Sequence, residues 1–179
     1  TGLQDVVNVA FATYSATQAA LVYAQDLDGD LATITDTELY YSTYGGTVWS
    51  TPTRLSNDVI TDTTPALAYD STGNLHLLWL RGGDLVWLKN SWDVAHAQTV
   101  RSASTSAGFL GLGLSRAANG NLSLVWQIMR DGSADLAYSV YDAAHNQWGA
   151  DQALMQNTAV EAAHSPAFGA DGNLYLAYQ

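Results

Sequence analysis

The sequence contains no cysteine among its 179 residues, which excludes disulfide bridges, thiolate metal sites and cysteine nucleophiles. Basic residues are also scarce, because six Lys and Arg stand against 17 Asp and Glu and give a net charge of -11. An acidic surface repels the phosphates of nucleic acids and of anionic lipids. We therefore expect no nucleic-acid partner and no docking on an anionic membrane.

Long apolar runs are absent as well, since no stretch approaches the roughly 18 consecutive apolar residues of a membrane-spanning helix. The first residues, 1–7, have neither a basic end nor an apolar signal core. We therefore expect no membrane insertion and no targeting segment in this stretch. What the chain does have is 47% hydrophobic residues, enough for a globular domain with a sizeable core.

An internal repeat is the main signal in the sequence. Gly-Asn-Leu occurs at residues 73–75, 120–122 and 172–174, and each copy opens a short apolar run. A weaker copy begins at Gln18. Each copy carries an aromatic residue at the same place in its run: Tyr23, Trp79, Trp126 and Tyr178. A repeat of this kind predicts one structural unit used several times.

Each unit reads as four short strands, in about 45 to 58 residues. Val, Leu, Tyr and Trp dominate the runs, residues 39–44 alternate at period two, and no segment has helical periodicity with caps. Asx-Gly turns such as Asn119-Gly120 suit tight hairpins. Four-stranded antiparallel units at this period predict an all-β β-propeller. The blades are expected at about 5–56, 57–102 and 103–156, with a partial one at 157–179, or about 3.5 blades in all.

About 3.5 blades do not close a ring, since propellers have roughly four to eight. An uncovered apolar strand edge is an aggregation hazard, so another element must cover it. Two sources are open: the rest of a longer polypeptide, or a second copy of the chain in a homodimer.

Residues 42–49 (STYGGTVW) resemble the Asp-box of sialidase-like propellers, whose pattern is Ser-x-Asp-x-Gly-x-Thr-Trp. Ser42, Gly46 and Trp49 match, whereas Tyr44 and Val48 stand where the pattern has Asp and Thr. The chain as a whole is similar to bacterial secreted β-propeller repeat proteins. This resemblance implies a secreted or cell-surface protein and a structural role for the box, which ties a turn together.

The same resemblance raises the alternative of a sialidase-like glycoside hydrolase. Such a site needs three clustered arginines and a Tyr-Glu nucleophile pair. Here the five arginines are scattered, and Glu38 and Glu161 are the only glutamates. We therefore expect a non-catalytic binding or scaffolding domain with a protein or glycan ligand. A propeller fragment that closes its ring by self-association is a third hypothesis.

The connection between the second and third strands is longer in the first unit than in the others. It carries carboxylates at alternate positions around a glycine, and the candidate metal ligands are Asp26, Asp28, Asp30 and Asp36. Calcium takes six to eight oxygen ligands from loops of this kind. The alternative is a solvated loop in which the Asp side chains cap their own turns.

The aromatic residues divide by whether they follow the repeat. The phased ones, Tyr23, Trp79, Trp126 and Tyr178, are expected in the core, and Trp49 and Trp148 between blades. Trp87 and Trp92 break the phase and are the candidate exposed, ligand-binding rings. The histidines, His76, His96, His145 and His164, form no metal-binding spacing.

Overall fold

Each sheet in the described part of the protein is antiparallel, and all but one of the strand pairs join strands that are neighbours in the chain. The structure is a computed structural model, and it describes residues 5–30, 35–103, 107–130, 133–155, 165–169, 171 and 173–177. Of the residues singled out above, Glu161, His164, Gly172 and Tyr178 lie outside these ranges.

The first two sheets have four strands each, in chain order. The first contains β1 (Val6–Ser15), β2 (Gln18–Gln25), β3 (Glu38–Tyr44) and β4 (Thr53–Arg54). The second contains β5 (Asp62–Tyr69), β6 (Leu75–Arg81), β7 (Asp84–Lys89) and β8 (Gln98–Arg101). A single turn of 3₁₀ helix, Val94–His96, precedes β8.

The third sheet is similar, but its outer edge is split into two short strands. It contains β9 (Ala107–Arg116), β10 (Leu122–Arg130), β11 (Ser133–Asp142), β12 (Gln147–Trp148) and β13 (Gln152–Met155). Both β12 and β13 pair with β11. A two-stranded sheet follows, formed by β14 (Ser165–Phe168) and β15 (Leu174–Ala177). The apolar runs that Gly-Asn-Leu was predicted to open form β6, β10 and β15.

The repeated Gly-Asn-Leu motif closes the hairpin between the first two strands of a sheet. Gly73 and Gly120 have φ values of 83° and 90°, which glycine adopts without a steric penalty. A β-carbon on Gly73 would lie 3.1 Å from the ring of Tyr14 in the preceding sheet. One on Gly120 would overlap the side chain of Ser71. The glycines therefore serve both the turn and the close approach of neighbouring sheets.

The sheets fan out from their first strands, since β1, β5, β9 and β14 lie against one another in that order. Two apolar clusters fill the spaces between successive sheets. Trp79 is fully buried in the first cluster, and Trp126 in the second. Burying a ring of this size stabilises the fold by about 4–6 kcal/mol before entropy is counted. The expected core positions of Tyr23, Trp79 and Trp126 are thus confirmed.

The outward side of the first sheet, which we call the open face, keeps large apolar residues exposed. Val9, Phe11 and Trp49 are 60%, 56% and 43% exposed. The Trp49 ring lies 6.1 Å from that of Phe11 on this open face, and its expected position between blades stays a prediction. Trp148, by contrast, is buried in the cluster between the second and third sheets. In the described ranges no helix is long and apolar enough to span a membrane.

Candidate functional site

Three of the four predicted metal ligands come together in the loop between β2 and β3. Oxygen atoms of Asp26, Asp28 and Asp36 all lie within 4.8 Å of one another. The strands on either side pair up to Gln25 and Glu38, so the two ends of the loop lie side by side. Asp26 and Asp36 stand at this mouth and Asp28 turns back towards it, whereas Asp30 is not part of the cluster.

Main-chain hydrogen bonds shape this acidic loop. The amide of Gly29 donates to Oδ1 of Asp26 at 2.7 Å, and the amide of Asp30 donates to Oδ1 of Asp28 at 2.8 Å. The amide of Asp26 donates to the carbonyl of Asp5, where β1 begins, at 3.0 Å. The loop therefore has the capped turns of the alternative interpretation, and its carboxylates still converge.

The cluster has no positive partner among the described ion pairs. Arg54 pairs with Glu38, and Arg101 pairs with Asp151. Arg81 donates from its two terminal nitrogens to Asp58 at 2.5 Å and to Asp62 at 2.6 Å. Within the described chain, Oδ2 of Asp26 and Oδ1 of Asp36 are buried and accept no hydrogen bond.

A second polar network lies near the same end of the second sheet and centres on Asp62, which is fully buried. Besides its bond from Arg81, its carboxylate accepts a hydrogen bond from Nε1 of Trp79 at 2.6 Å. Burial raises the pKa of Asp62, although the bonds from Trp79 and Arg81 oppose this shift. In the third sheet Ala107 lies opposite Arg130, at the register position that Asp62 has opposite Arg81 in the second. Nε1 of Trp126, the equivalent of Trp79, has no hydrogen-bond partner in the described chain. The network is a structural feature that the second blade alone possesses among those described.

A third network surrounds His76, which is fully buried near the start of β6. Nε1 of Trp87 donates to Nδ1 of His76 at 3.1 Å. Nδ1 is therefore unprotonated, and the proton of the neutral ring is on Nε2, 3.4 Å from Oδ2 of Asp70. Burial lowers the pKa of His76 to about 4, with Asp70 opposing the shift. Burial also disfavours ionisation of Asp70, but hydrogen bonds from Asn74 and Thr72 outweigh it and hold the Asp70 pKa well below its usual range.

The candidate ligand-binding tryptophans differ from the prediction. Trp87 was expected to be exposed, but it is 3% exposed because the second and third sheets enclose it, and its ring contacts Tyr141 and Trp148. Trp92 is half-buried, and one side of its ring stacks on Tyr41 at 4.1 Å. Both residues nevertheless line clefts.

These clefts lie beside the segment that connects β7 to β8. One, of about 400 Å³, lies between the second and third blades and is lined by Trp87, Lys89, Ser91, His96, Gln98 and Asn146. The other, of about 280 Å³, lies between the first and second blades, and its lining includes Trp92, Tyr44, Gln18, Asn90 and again Ser91. Because adjacent strands run in opposite directions, the clefts are at the opposite end of the blades from the acidic loop.

The first cleft is held in shape by a triangle of hydrogen bonds. Nζ of Lys89 donates to Oη of Tyr141 and to Oδ1 of Asn146, each at 2.8 Å. Oη of Tyr141 also donates to Oδ1 of Asn146 at 2.8 Å. Lys89 belongs to the second blade and the other two residues to the third, so no single repeat of the sequence contains this arrangement. The sequence offered one sign of it, since Lys89 is the only lysine.

Four-stranded antiparallel sheets that fan from their first strands define a β-propeller, and the predicted fold class is confirmed. Solved structures with a similar fold include an ulvan lyase, which is a polysaccharide lyase, at a TM-score of 0.62 and 11% identity over 91% of this chain and 48% of that one. The α-L-arabinanase of Penicillium chrysogenum has a TM-score of 0.59 and 14% identity, over 89% of this chain and 53% of the arabinanase. A xylan β-1,4-xylosidase from Bacillus halodurans has a TM-score of 0.63 and 14% identity, over 98% of this chain and 37% of the xylosidase.

No protein-family model and no curated protein matches the sequence. The chain spans about half the length of the lyase and arabinanase structures. At these identities the similarity concerns the fold alone. The sialidase-like relation suggested by residues 42–49 stays a prediction.

Proposed function

We propose that the chain is a non-catalytic, carbohydrate-binding β-propeller module of a larger, secreted protein. One observation carries the proposal. The chain has a net charge of -11, yet none of the described residues that line the two clefts is Asp or Glu. Amide, hydroxyl, imidazole and aromatic groups predominate in the linings, with one lysine and a few small or aliphatic residues.

Such a lining suits a sugar. Sugar hydroxyls both donate and accept hydrogen bonds, as do the amides of Gln98 and Asn146 and the hydroxyl of Ser91. Trp92 and Tyr44 supply apolar ring surface to the neighbouring cleft. Since Ser91 lines both clefts, we propose that one extended oligosaccharide occupies the two. The overall negative charge favours neutral sugars over polyanionic ones.

The same linings weigh against hydrolysis. Glycosidases that use two carboxylates hold them roughly 5 to 10 Å apart across the scissile bond. In the described ranges, the three clustered carboxylates are those of Asp26, Asp28 and Asp36, at the far end of the blades from the clefts. The glycoside hydrolase alternative draws on the names of the arabinanase and xylosidase structures, and it requires catalytic residues outside these clefts.

The proposal predicts measurable sugar binding without turnover. Oligosaccharides derived from arabinan and xylan are the probes, because both sugars are neutral and both occur in the names of the similar structures. Replacing His96 by alanine is expected to weaken binding about two- to tenfold, the effect of one lost hydrogen bond. Titration calorimetry measures the affinity, and chromatography of the incubated sugars measures cleavage.

His145→Ala is the matched control. His96 and His145 both follow an Asp by three residues, and both side chains are 71% exposed, but of the two only His96 is in the lining of the clefts described above. Equal losses in the two variants, or no binding of any sugar, would contradict the assignment of the cleft. Release of shorter sugars would contradict the non-catalytic role.

We also propose that a further blade of the same polypeptide covers the open face of the first sheet. Two facts support this: the opposite side of that sheet is buried against the second blade, and the chain spans about half of similar propellers. Light scattering of the 179-residue chain is therefore expected to give the mass of a monomer. A dimer that Phe11→Asp dissociates would show that a second copy covers this face instead.

A further inference from the structure

The acidic loop contains a buried carboxylate oxygen that no group in the described chain satisfies. Asp26 is 2% exposed; its Oδ1 accepts the Gly29 amide, while its Oδ2 has no partner. An ionised oxygen sealed from water without a partner is strongly destabilising. We propose that Asp26, Asp28 and Asp36 bind one calcium ion, which supplies that partner.

The spacing of the oxygens suits calcium. Calcium binds oxygen at 2.3–2.6 Å, so two ligands on opposite sides of the ion are about 5 Å apart. The three carboxylates meet within 4.8 Å, inside that limit. The cluster offers oxygen alone, with no imidazole in it, which favours a hard cation over zinc or copper.

A second unpartnered oxygen points to the same conclusion. Oδ1 of Asp36 is also buried without a hydrogen bond, although Asp36 lies on the opposite side of the loop mouth from Asp26. Two such oxygens in one cluster are explained by a single shared ion. A solvated loop that merely caps its own turns would leave its free oxygens in water.

Calcium at this position would join three parts of the fold. The amide of Asp26 is bonded to the carbonyl of Asp5 at the start of the first blade, and the carbonyl of Thr37 accepts the amide of Asp62 in the second blade at 2.9 Å. The ion would therefore fix the loop to its own blade and, through Thr37, to the next one. The site is structural, and it is independent of sugar binding at the opposite end of the blades.

The test is calcium titration of the EDTA-treated chain, followed by calorimetry and by thermal melting. One ion per chain is expected, with a rise in Tm of about 5–10 °C once free calcium exceeds the Kd about 100-fold. Asp28→Asn is the main variant because Asp28 is exposed and its replacement keeps the oxygen that caps the turn. It is expected to weaken calcium binding by about tenfold or more, since carboxylate charge sets the affinity.

Asp30→Asn is the matched control, because it removes a charge from the same loop outside the cluster, and it is expected to retain calcium binding. In EDTA, Asp28→Asn should melt at or above the wild-type temperature, because it removes one of three like charges. No calcium effect on the wild-type chain, or equal calcium binding by Asp28→Asn, would overturn the proposal. A Tm lowered equally with and without calcium would assign Asp28 to turn capping and would overturn it too.

Discussion

Replacing Asp62 by alanine is expected to lower the free energy of unfolding by about 3–5 kcal/mol, the cost of breaking a buried ion pair from one side. The substitution leaves the guanidinium of Arg81 without its buried partner and Nε1 of Trp79 without an acceptor. Urea denaturation followed by tryptophan fluorescence measures the loss.

Asp58→Ala is the control, since Asp58 binds the other terminal nitrogen of the same Arg81 from a position whose side chain is 40% exposed. Exposed pairs of this kind contribute about 0.2–1 kcal/mol. Asp62→Asn, which keeps an acceptor for Trp79, should fall between the two. A loss in Asp62→Ala no larger than that in Asp58→Ala would show that the buried network does not stabilise the fold.

Lowering the pH from 6.5 to 4 is expected to destabilise the protein by about 3 kcal/mol through His76 alone. In this window the folded state keeps His76 neutral, whereas the unfolded state binds a proton there. Acid therefore favours unfolding, and stability rises with pH from about 4 to 6.5. The cause is burial of the ring, which disfavours its charged form. A proton on Nδ1 would also face the indole N–H of Trp87.

The measurement is the free energy of unfolding against pH for the wild-type chain and for His76→Gln. The glutamine retains an acceptor for Trp87 but does not titrate, so the slope between pH 4 and 6.5 should decrease by the amount assigned to His76. Asp70 affects stability in a different pH range. Because its pKa is lowered in the folded state, the stability that it provides is lost only as the pH falls below the ordinary Asp value of 3.8. His96→Gln, at an exposed site, should leave the slope unchanged, and an unchanged slope in His76→Gln would contradict the assignment.

The fold could be predicted because its signals are local and repeated. Alternating strands, Asx-Gly hairpins and phased aromatic residues are each features of a single blade. Because they recur in several copies, a misleading pattern in one copy is corrected by the others. The convergence of Asp26 and Asp36 was also within reach, since pairing of the flanking strands brings the two ends of any such loop together. The position of Asp30 outside the cluster depends on the path of the loop, which strand pairing does not determine.

What the sequence could not show depends on contacts between different blades or between paired strands at exact register. Trp87 breaks the repeat, which suggested exposure, but the next blade covers its strand. The cleft at Lys89 is completed by Asn146 from another repeat. The bond from Trp79 to Asp62 requires the register of β5 on β6, which a bulge near Thr64 shifts.

The hairpin glycines set a condition for building longer proteins from this unit. Gly73 and Gly120 each receive a side chain of the preceding blade where a β-carbon would otherwise be. A duplicated or transplanted blade can therefore join the array only if its own first turn leaves that space vacant. The glycine of the Gly-Asn-Leu motif is in this sense the residue that lets one blade join the next, which accounts for its recurrence at this turn.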